Sequence, residues 1–310
     1  MAMEKISWKG HGAMLAANCI WGLMAPIAKI VMAGSIITPL VLTDLRVFGA
    51  MALFWVASLF RKPEKVEPKD MMRLFGASLL AIVFNQGLYV FGVSLTSPAD
   101  ASIITTSMPL WAMVLAAIFL KEPITGKKVG GIAFGAGGAL LLILGGSHAA
   151  AAQAGSTTNI GGDLFVLLAQ LSYASYLVLY KNFVNKYSIF TIMKWMFTYA
   201  FICLLPFSYH DIIATDWAAL TWGNIGGILY VVVFATFLCY VLVVVGQKNL
   251  RPTVAGMYNY IQPIVSVTAS IFLGLDTFSY LKVLAVLLIF TGVWLVSASK
   301  SRVQMEREQS

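Results

Sequence analysis

Apolar residues run through this chain in long blocks that short polar turns interrupt. From Ala13 onward each block reaches or approaches the roughly 20 residues that a helix needs to cross the hydrocarbon core of a bilayer. The pattern predicts helices over 13–33, 39–60, 72–95, 100–120, 128–146, 162–181, 189–208, 224–246, 254–274 and 281–299. The longest connections are 61–71 (RKPEKVEPKDM), 147–161 and 209–223, all too short for a soluble domain. The first block follows Lys5 and Lys9 and could pass for a signal peptide. It is too long for one and lacks a clean small-residue cleavage site, so it reads as the first helix. The expected fold class is an all-α membrane protein with ten transmembrane helices, and its function must lie within the membrane.

Composition agrees. Of the 310 residues, 59% are hydrophobic and 11% charged, where a soluble chain would carry about 25% charged residues. A net charge of +8 could suggest nucleic acid, but the basic residues sit in short turns and read as topology determinants. With the N-terminus in the cytoplasm, the cytoplasmic segments hold 17 of the 21 Lys and Arg residues. The outer loops carry Asp163, Asp211 and Asp216. Ten spans put both termini in the cytoplasm. Cys19, Cys203 and Cys239 lie in apolar blocks without CxxC spacing, and read as buried thiols.

The two halves of the chain resemble each other. Pro98, Ala101, Pro109, Glu122, Lys128 and Gly138 recur as Pro252, Ala255, Pro263, Asp276, Lys282 and Gly292, each pair 154 residues apart. Asn18, Trp21 and Lys29 recur as Gln170, Tyr173 and Lys181 at an offset of 152. Five spans in each copy, an odd number, would bring the second copy into the membrane from the opposite side. Such inverted repeats relate by a pseudo-two-fold axis in the membrane plane, which suits alternating access to a midplane site. The expected organisation is a first five-helix repeat over 1–146, an extracytoplasmic linker over 147–161, a second repeat over 162–299 and a cytoplasmic tail over 300–310.

The segments SPADASIITTSMPLWAMVLAAIFLKEPITGKKVGGIAFGAGGALLLI (97–143) and RPTVAGMYNYIQPIVSVTASIFLGLDTFSYLKVLAVLLIFTGVWLV (251–296) carry a resemblance. With Trp21-Gly22 and Arg46, they resemble the drug/metabolite transporter superfamily, specifically the EamA-type ten-helix bacterial carriers, over almost the whole chain. Asp276 stands where the usual residue is Glu, so the carboxylate is kept. The resemblance implies export of small organic solutes, such as amino acids or related metabolites, by alternating access. It does not fix the substrate.

Several residues are candidates for the chemistry. Pro109 and Pro263 fall inside helices four and nine, where an interior proline kinks a helix; either a static kink or a gating hinge fits. Glu122 and Asp276 read as interfacial anions at the next helix N-terminus. Gly131 and Gly135, with Gly138 one turn on, read as close helix packing. Asp44, Arg46 and Lys194 are ionisable groups within apolar blocks, a functional signal by default. Asp44 is expected to pair with Arg46 or Lys194 and rearrange during transport; alternatively the two cations reach for the interface. Candidate solute-binding residues are Asn18, Trp21, Asn85, Gln86, Tyr89, Ser102, Thr105, Thr106, Gln170, Tyr173, Tyr240, Tyr258, Asn259 and Gln262. Polar groups in hydrocarbon prefer a bundle interior or wet cavity; interhelical hydrogen bonds or interfacial placement are the alternatives.

Such an aromatic, neutral-polar lining suits neutral or zwitterionic solutes. An embedded enzyme would need a nucleophile with a base, or paired acids. The chain has no GxSG, no HExxH and no paired aspartates at membrane depth, and His11, His148 and His210 fall at span ends or in loops. A channel would want a filter-like glycine loop or rings of charge, and neither is present. No cofactor, metal or nucleic acid is expected. The expected partners are a small-molecule substrate and the lipid bilayer, with protons a candidate coupling ion and either a monomer or a homodimer as the working form.

Overall fold

The structure, a computed structural model, describes residues 7–32, 36–95, 104–147, 160–272 and 280–299. Among the described residues there is no strand, and the chain forms ten helical segments. They are α1 (Trp8–Met32), α2 (Pro39–Leu59), α3 (68–95), α4 (Met108–Phe119), α5 (Gly126–Ser147), α6 (Ile160–Leu179), α7 (Ile189–Ala214), α8 (Trp222–Asn249), α9 (252–272) and α10 (Tyr280–Ser297). Five stretches, Pro39–Leu59, Pro68–Gly92, Ile160–Leu179, Ile189–Ala214 and Trp222–Asn249, are long and apolar enough to cross a bilayer. Ser102, Asp276, Pro98 and Ala101, most of the 147–161 linker and the 300–310 tail lie outside the described residues.

Local sequence explains the ends. Thr38 caps α2 by accepting from the Val41 amide at 3.2 Å, with Pro39 in the first turn. Ser188 caps α7 through the Thr191 amide at 3.2 Å. Thr221 and Asn224 form a reciprocal capping box on α8. Such caps satisfy amides that a helix start leaves open.

Three helices are not uniform. In α3, residues Leu79–Phe84 form a π-helical stretch, and in α8 residues Tyr230–Leu238 do the same. A shift of 154 residues carries the first stretch inside the second. In α9 a 3-10 turn at Tyr258–Tyr260 separates two α-helical parts, and Pro263 follows it directly. Pro109 stands in the first turn of α4, just after a turn at 106–107 that separates α4 from helical residues 104–105. A ring that fixes φ and lacks an N–H fits a first turn, where the amide has no intrahelical acceptor.

The chain divides into two compact units, and neither is a sequence half. The first unit comprises Met1–Val90 and Asn182–Asn249, hence α1, α2, most of α3, α7 and α8. Along the α2–α7 contact, Phe54 stacks on Phe197 at 5.5 Å and Phe48 meets Phe201 at 5.2 Å. Beside them Phe54 also meets Phe237 of α8 at 4.5 Å. At one edge the buried Asp70 carboxylate accepts from Lys186 Nζ, from Tyr187 Oη at 2.7 Å and from Arg73 Nη1 at 3.1 Å. That cluster ties the start of α3 to the segment leading into α7.

The second unit comprises Phe91–Lys181 and Leu250–Ser310, hence α4, α5, α6, α9 and α10. Its α5 and α10 approach at glycine. A Cβ on Gly131 would lie 2.7 Å from the Gly292 carbonyl oxygen, and one on Gly138 would lie 2.6 Å from the Ala285 carbonyl oxygen. The 154-residue shift turns one contact into the other. A Cβ on Gly135 would strike the Tyr260 ring at 2.5 Å. The GxxxG stripe is therefore a packing surface. Tyr260 also donates its hydroxyl to the Thr106 carbonyl at 3.1 Å, across another interval of 154 residues.

Glu122 does not cap α5. Thr125 takes that place, accepting from the Lys128 amide at 3.3 Å. Glu122 instead receives the buried Lys128 ammonium at 2.7 Å, with Thr253 Oγ1 at 3.4 Å. Its position four residues before α5 is too early to reach the first amides, while Lys128 lies one turn into the helix. Lys181 donates to the Leu250 carbonyl at 2.6 Å, and burial pulls its ammonium down to about 8 against the opposing pull of Glu122.

Candidate functional site

A pocket opens in the first unit around Arg46. Its lining is Thr43, Arg46, Val47, Ile82, Gln86, Phe197, Thr236 and Tyr240, with about 10 Å³ of free space. That is room for about one water, so in this conformation the pocket is contracted around the guanidinium.

At the pocket Arg46 of α2 reaches residues at both π-helical stretches, Thr236 in that of α8 and Gln86 just after that of α3. Ile82 lies within the stretch of α3 and Gln86 just after it; Thr236 lies within that of α8 and Tyr240 just after it. Single-turn π segments inside α-helices widen the backbone and occur often at functional sites. The lining also pairs off. Thr43 and Phe197, Ile82 and Thr236, and Gln86 and Tyr240 are each 154 residues apart. The shift that relates α5 to α10 in the second unit thus relates opposite walls of this pocket. Arg46 and Val47 break the pairing, because their counterparts, Ala200 and Phe201, are not in the lining.

The guanidinium is 6% exposed and has only neutral partners. Arg46 Nε donates to Thr236 Oγ1 at 3.1 Å and Nη1 donates to Gln86 Oε1 at 3.2 Å. Thr236 spends its own hydroxyl proton on the Val231 carbonyl at 2.7 Å, which leaves its oxygen as an acceptor for Arg46. Gln86 in turn meets the Tyr240 hydroxyl. Nη2 has no hydrogen-bond partner among the described residues.

The expected ion pairs are absent from this conformation. Asp44 lies two residues from Arg46, hence on another face of α2, and is buried with neither carboxylate oxygen hydrogen-bonded among the described residues. Two residues are about 200° of helical turn, too far around for the side chains to meet. Lys194 sits over the Trp55 ring at 4.7 Å, away from both. Lys194 is thus a cation on an aromatic face.

Of the candidate binding residues, the structure brings Arg46, Gln86 and Tyr240 into one pocket. Trp21 stands directly behind it, its indole N–H on the Ala235 carbonyl at 2.7 Å and its ring edge-on to Tyr240 at 6.0 Å. Asn18 turns back to the Met14 carbonyl at 2.8 Å. Asn85 and Tyr89 lie on α3 outside the lining. The others belong to the second unit. There Tyr173 stacks on Tyr176, which stacks on Tyr180, in a ladder along α6. Tyr258 is buried, Gln262 lies 3.5 Å from Asn259, and Thr105, Thr106 and Gln170 are near α4 and α6. Sequence reading missed Thr43, Val47, Ile82, Phe197 and Thr236. Four of them pair with each other across 154 residues, Thr43 with Phe197 and Ile82 with Thr236, but the interval taken from Arg46, Gln86 or Tyr240 reaches none of them.

The chain has clear relatives. A family model described as the EamA-like transporter family matches residues 8–144 and again 160–298. The chain is 25% identical over 276 residues to an "Uncharacterized transporter" of Archaeoglobus fulgidus, covering 89% of this chain and 94% of that one. It is 21% identical over 234 residues to the "Uncharacterized transporter YetK" of Bacillus subtilis, covering 76% and 70%. A crystal structure titled only as that of a protein superposes with a TM-score of 0.74 at 17% identity, covering 97% of this chain and 99% of that one. That likeness concerns the fold alone.

Proposed function

Because the chain belongs to the EamA-like transporter family, we propose that this multi-pass membrane protein is a secondary carrier that exports a small organic solute, an amino acid or related metabolite, by alternating access. In this reading its helices form two five-helix repeats of opposite orientation, with both termini in the cytoplasm of a bacterium and the helices in its inner membrane. The single observation that carries the reading is the pocket around Arg46, whose facing walls are residues 154 apart in sequence. A site on a pseudo-two-fold axis can stay fixed while the repeats exchange conformations on either side of it. The small volume fits a contracted state between openings. The test is solute counterflow in proteoliposomes, with labelled amino acids outside and unlabelled ones inside. A carrier accumulates label transiently against its gradient. Flux without stimulation by internal solute would mean a channel, and chemical change of the solute would mean an enzyme; either result overturns the reading.

A further inference from the structure

We propose that Arg46 is the docking group for a carboxylate, so that the transported solutes carry one anionic group at the end held in this pocket. This inference rests on the carrier reading above and narrows its substrate class.

Three observations lead to it. First, the charge is uncompensated. A guanidinium stays protonated in proteins, and a buried charge is ordinarily paired. Arg46 is buried among Thr236, Gln86 and Tyr240, all neutral, and takes part in no ion pair among the described residues. Asp44, the nearest acid in sequence, is on another face of α2. Lys194 on α7 lies over Trp55, so it adds no second positive charge to the pocket.

Second, the guanidinium is fixed but not saturated. Nε and Nη1 are held by Thr236 and Gln86, whose own hydrogen bonds set them as acceptors. Nη2 has no partner, so an arginine edge remains for an incoming oxygen. A carboxylate is the planar, singly charged acceptor that matches such an edge.

Third, the pocket is contracted directly around the guanidinium. Free space of about 10 Å³, room for about one water, lets a single oxygen ligand reach the guanidinium, and a carboxylate takes that place as the pocket widens. One positive charge suits one negative charge. A phosphate ester, with a charge of about −1.5 to −2 near neutral pH, would be left undercompensated.

The test uses purified full-length protein and a thermal-unfolding readout. The probes are L-leucine, L-threonine, L-phenylalanine, isovalerate and phenylacetate, each beside its amide, with sodium chloride and inorganic phosphate as anion controls. The proposal expects at least one acid to raise the melting temperature while its amide and both inorganic anions do not. Arg46→Gln should weaken that response roughly 10- to 100-fold in apparent affinity, the range for losing hydrogen bonds to a charged group. Arg46→Lys should retain part of it, and Thr236→Val, which keeps the charge but frees Nε, should weaken it less. Arg61→Gln, in the exposed connection after α2, should leave it unchanged. The comparison of acid with amide is made on the wild type, so it stands even where an Arg46 variant fails to fold. The inference is overturned if no acid stabilises, if amides or inorganic anions stabilise equally, or if a folded Arg46→Gln protein responds like wild type. Counterflow of neutral solutes alone would overturn it while leaving the carrier reading intact; loss of both counterflow and ligand response would remove the two together.

Discussion

Neighbouring glycines in α5 test the packing of the second unit with a built-in control. A Cβ added at Gly130 meets nothing within 4 Å, whereas one added at Gly131 lies 2.7 Å from both the Gly292 carbonyl oxygen and Val296 Cγ2, and 3.1 Å from Leu295 Cβ. Ordinary contacts begin near 3.4 Å, so α5 and α10 must part by several tenths of an ångström along their shared face. A radial gap of about 0.5–1 Å forfeits a quarter to a half of each dispersion contact, and overpacking typically costs about 1–3 kcal/mol. Gly130→Ala meets no such obstacle and gains helix propensity, about 0.8–1 kcal/mol. Gly131→Ala gains the same propensity, so the two proteins should differ in stability by about 1–3 kcal/mol, the overpacking cost, with Gly130→Ala the more stable. The assay is thermal unfolding of purified protein followed by a thiol-reactive dye, which Cys19, Cys203 and Cys239 would report. Equal melting temperatures for Gly130→Ala and Gly131→Ala would refute the close approach of α5 and α10.

Three further outcomes follow from the charged groups. Glu122→Ala strands the buried Lys128 ammonium and should destabilise by about 3–5 kcal/mol, with Lys128→Met in the same chain restoring most of it; a cycle without such coupling would contradict the pair. Lys121 holds a left-handed backbone, φ 53°, so Lys121→Gly should stabilise by up to about 1–2 kcal/mol, read as a higher melting temperature. Lys181 titrates lower in the folded protein, about 8 against an ordinary 10.5, so the unfolded chain holds the extra proton between those values. Stability should therefore rise with pH across that window, and the rise should shrink in Lys181→Met; identical pH profiles would exclude Lys181 as its source.

Much of the architecture was legible because the bilayer imposes a length on apolar blocks. The described helices fall on the expected blocks, with shifts at ends set by caps such as Thr38, and five stretches are long and apolar enough to cross a bilayer. The GxxxG stripe was legible for the same reason, since small residues at helical spacing have few uses besides close packing. The π-helical stretches were not. Leu-Leu-Ala-Ile-Val-Phe at 79–84 has the apolar content of any spanning helix, and hydropathy does not report which carbonyl an amide chooses. Pro109 was misplaced because a proline within an apolar block looks interior until the helix start is known. Arg46, Gln86 and Tyr240 stood out as polar groups in hydrocarbon, but Thr43 and Phe197 do not differ from dozens of residues facing lipid or packing. Their 154-residue relation becomes visible only once the fold brings them to one pocket.

The most direct test of a carrier site at Arg46 is its access from each side of the membrane. With Cys19, Cys203 and Cys239 replaced by Ala, a single cysteine at Gln86 is exposed to a membrane-impermeant maleimide added to sealed right-side-out or inside-out vesicles. Alternating access predicts labelling from both sides, with a transported solute slowing both. A cysteine that reacts from neither side, or from one side only whatever solute is present, would contradict a site that serves both faces of the membrane.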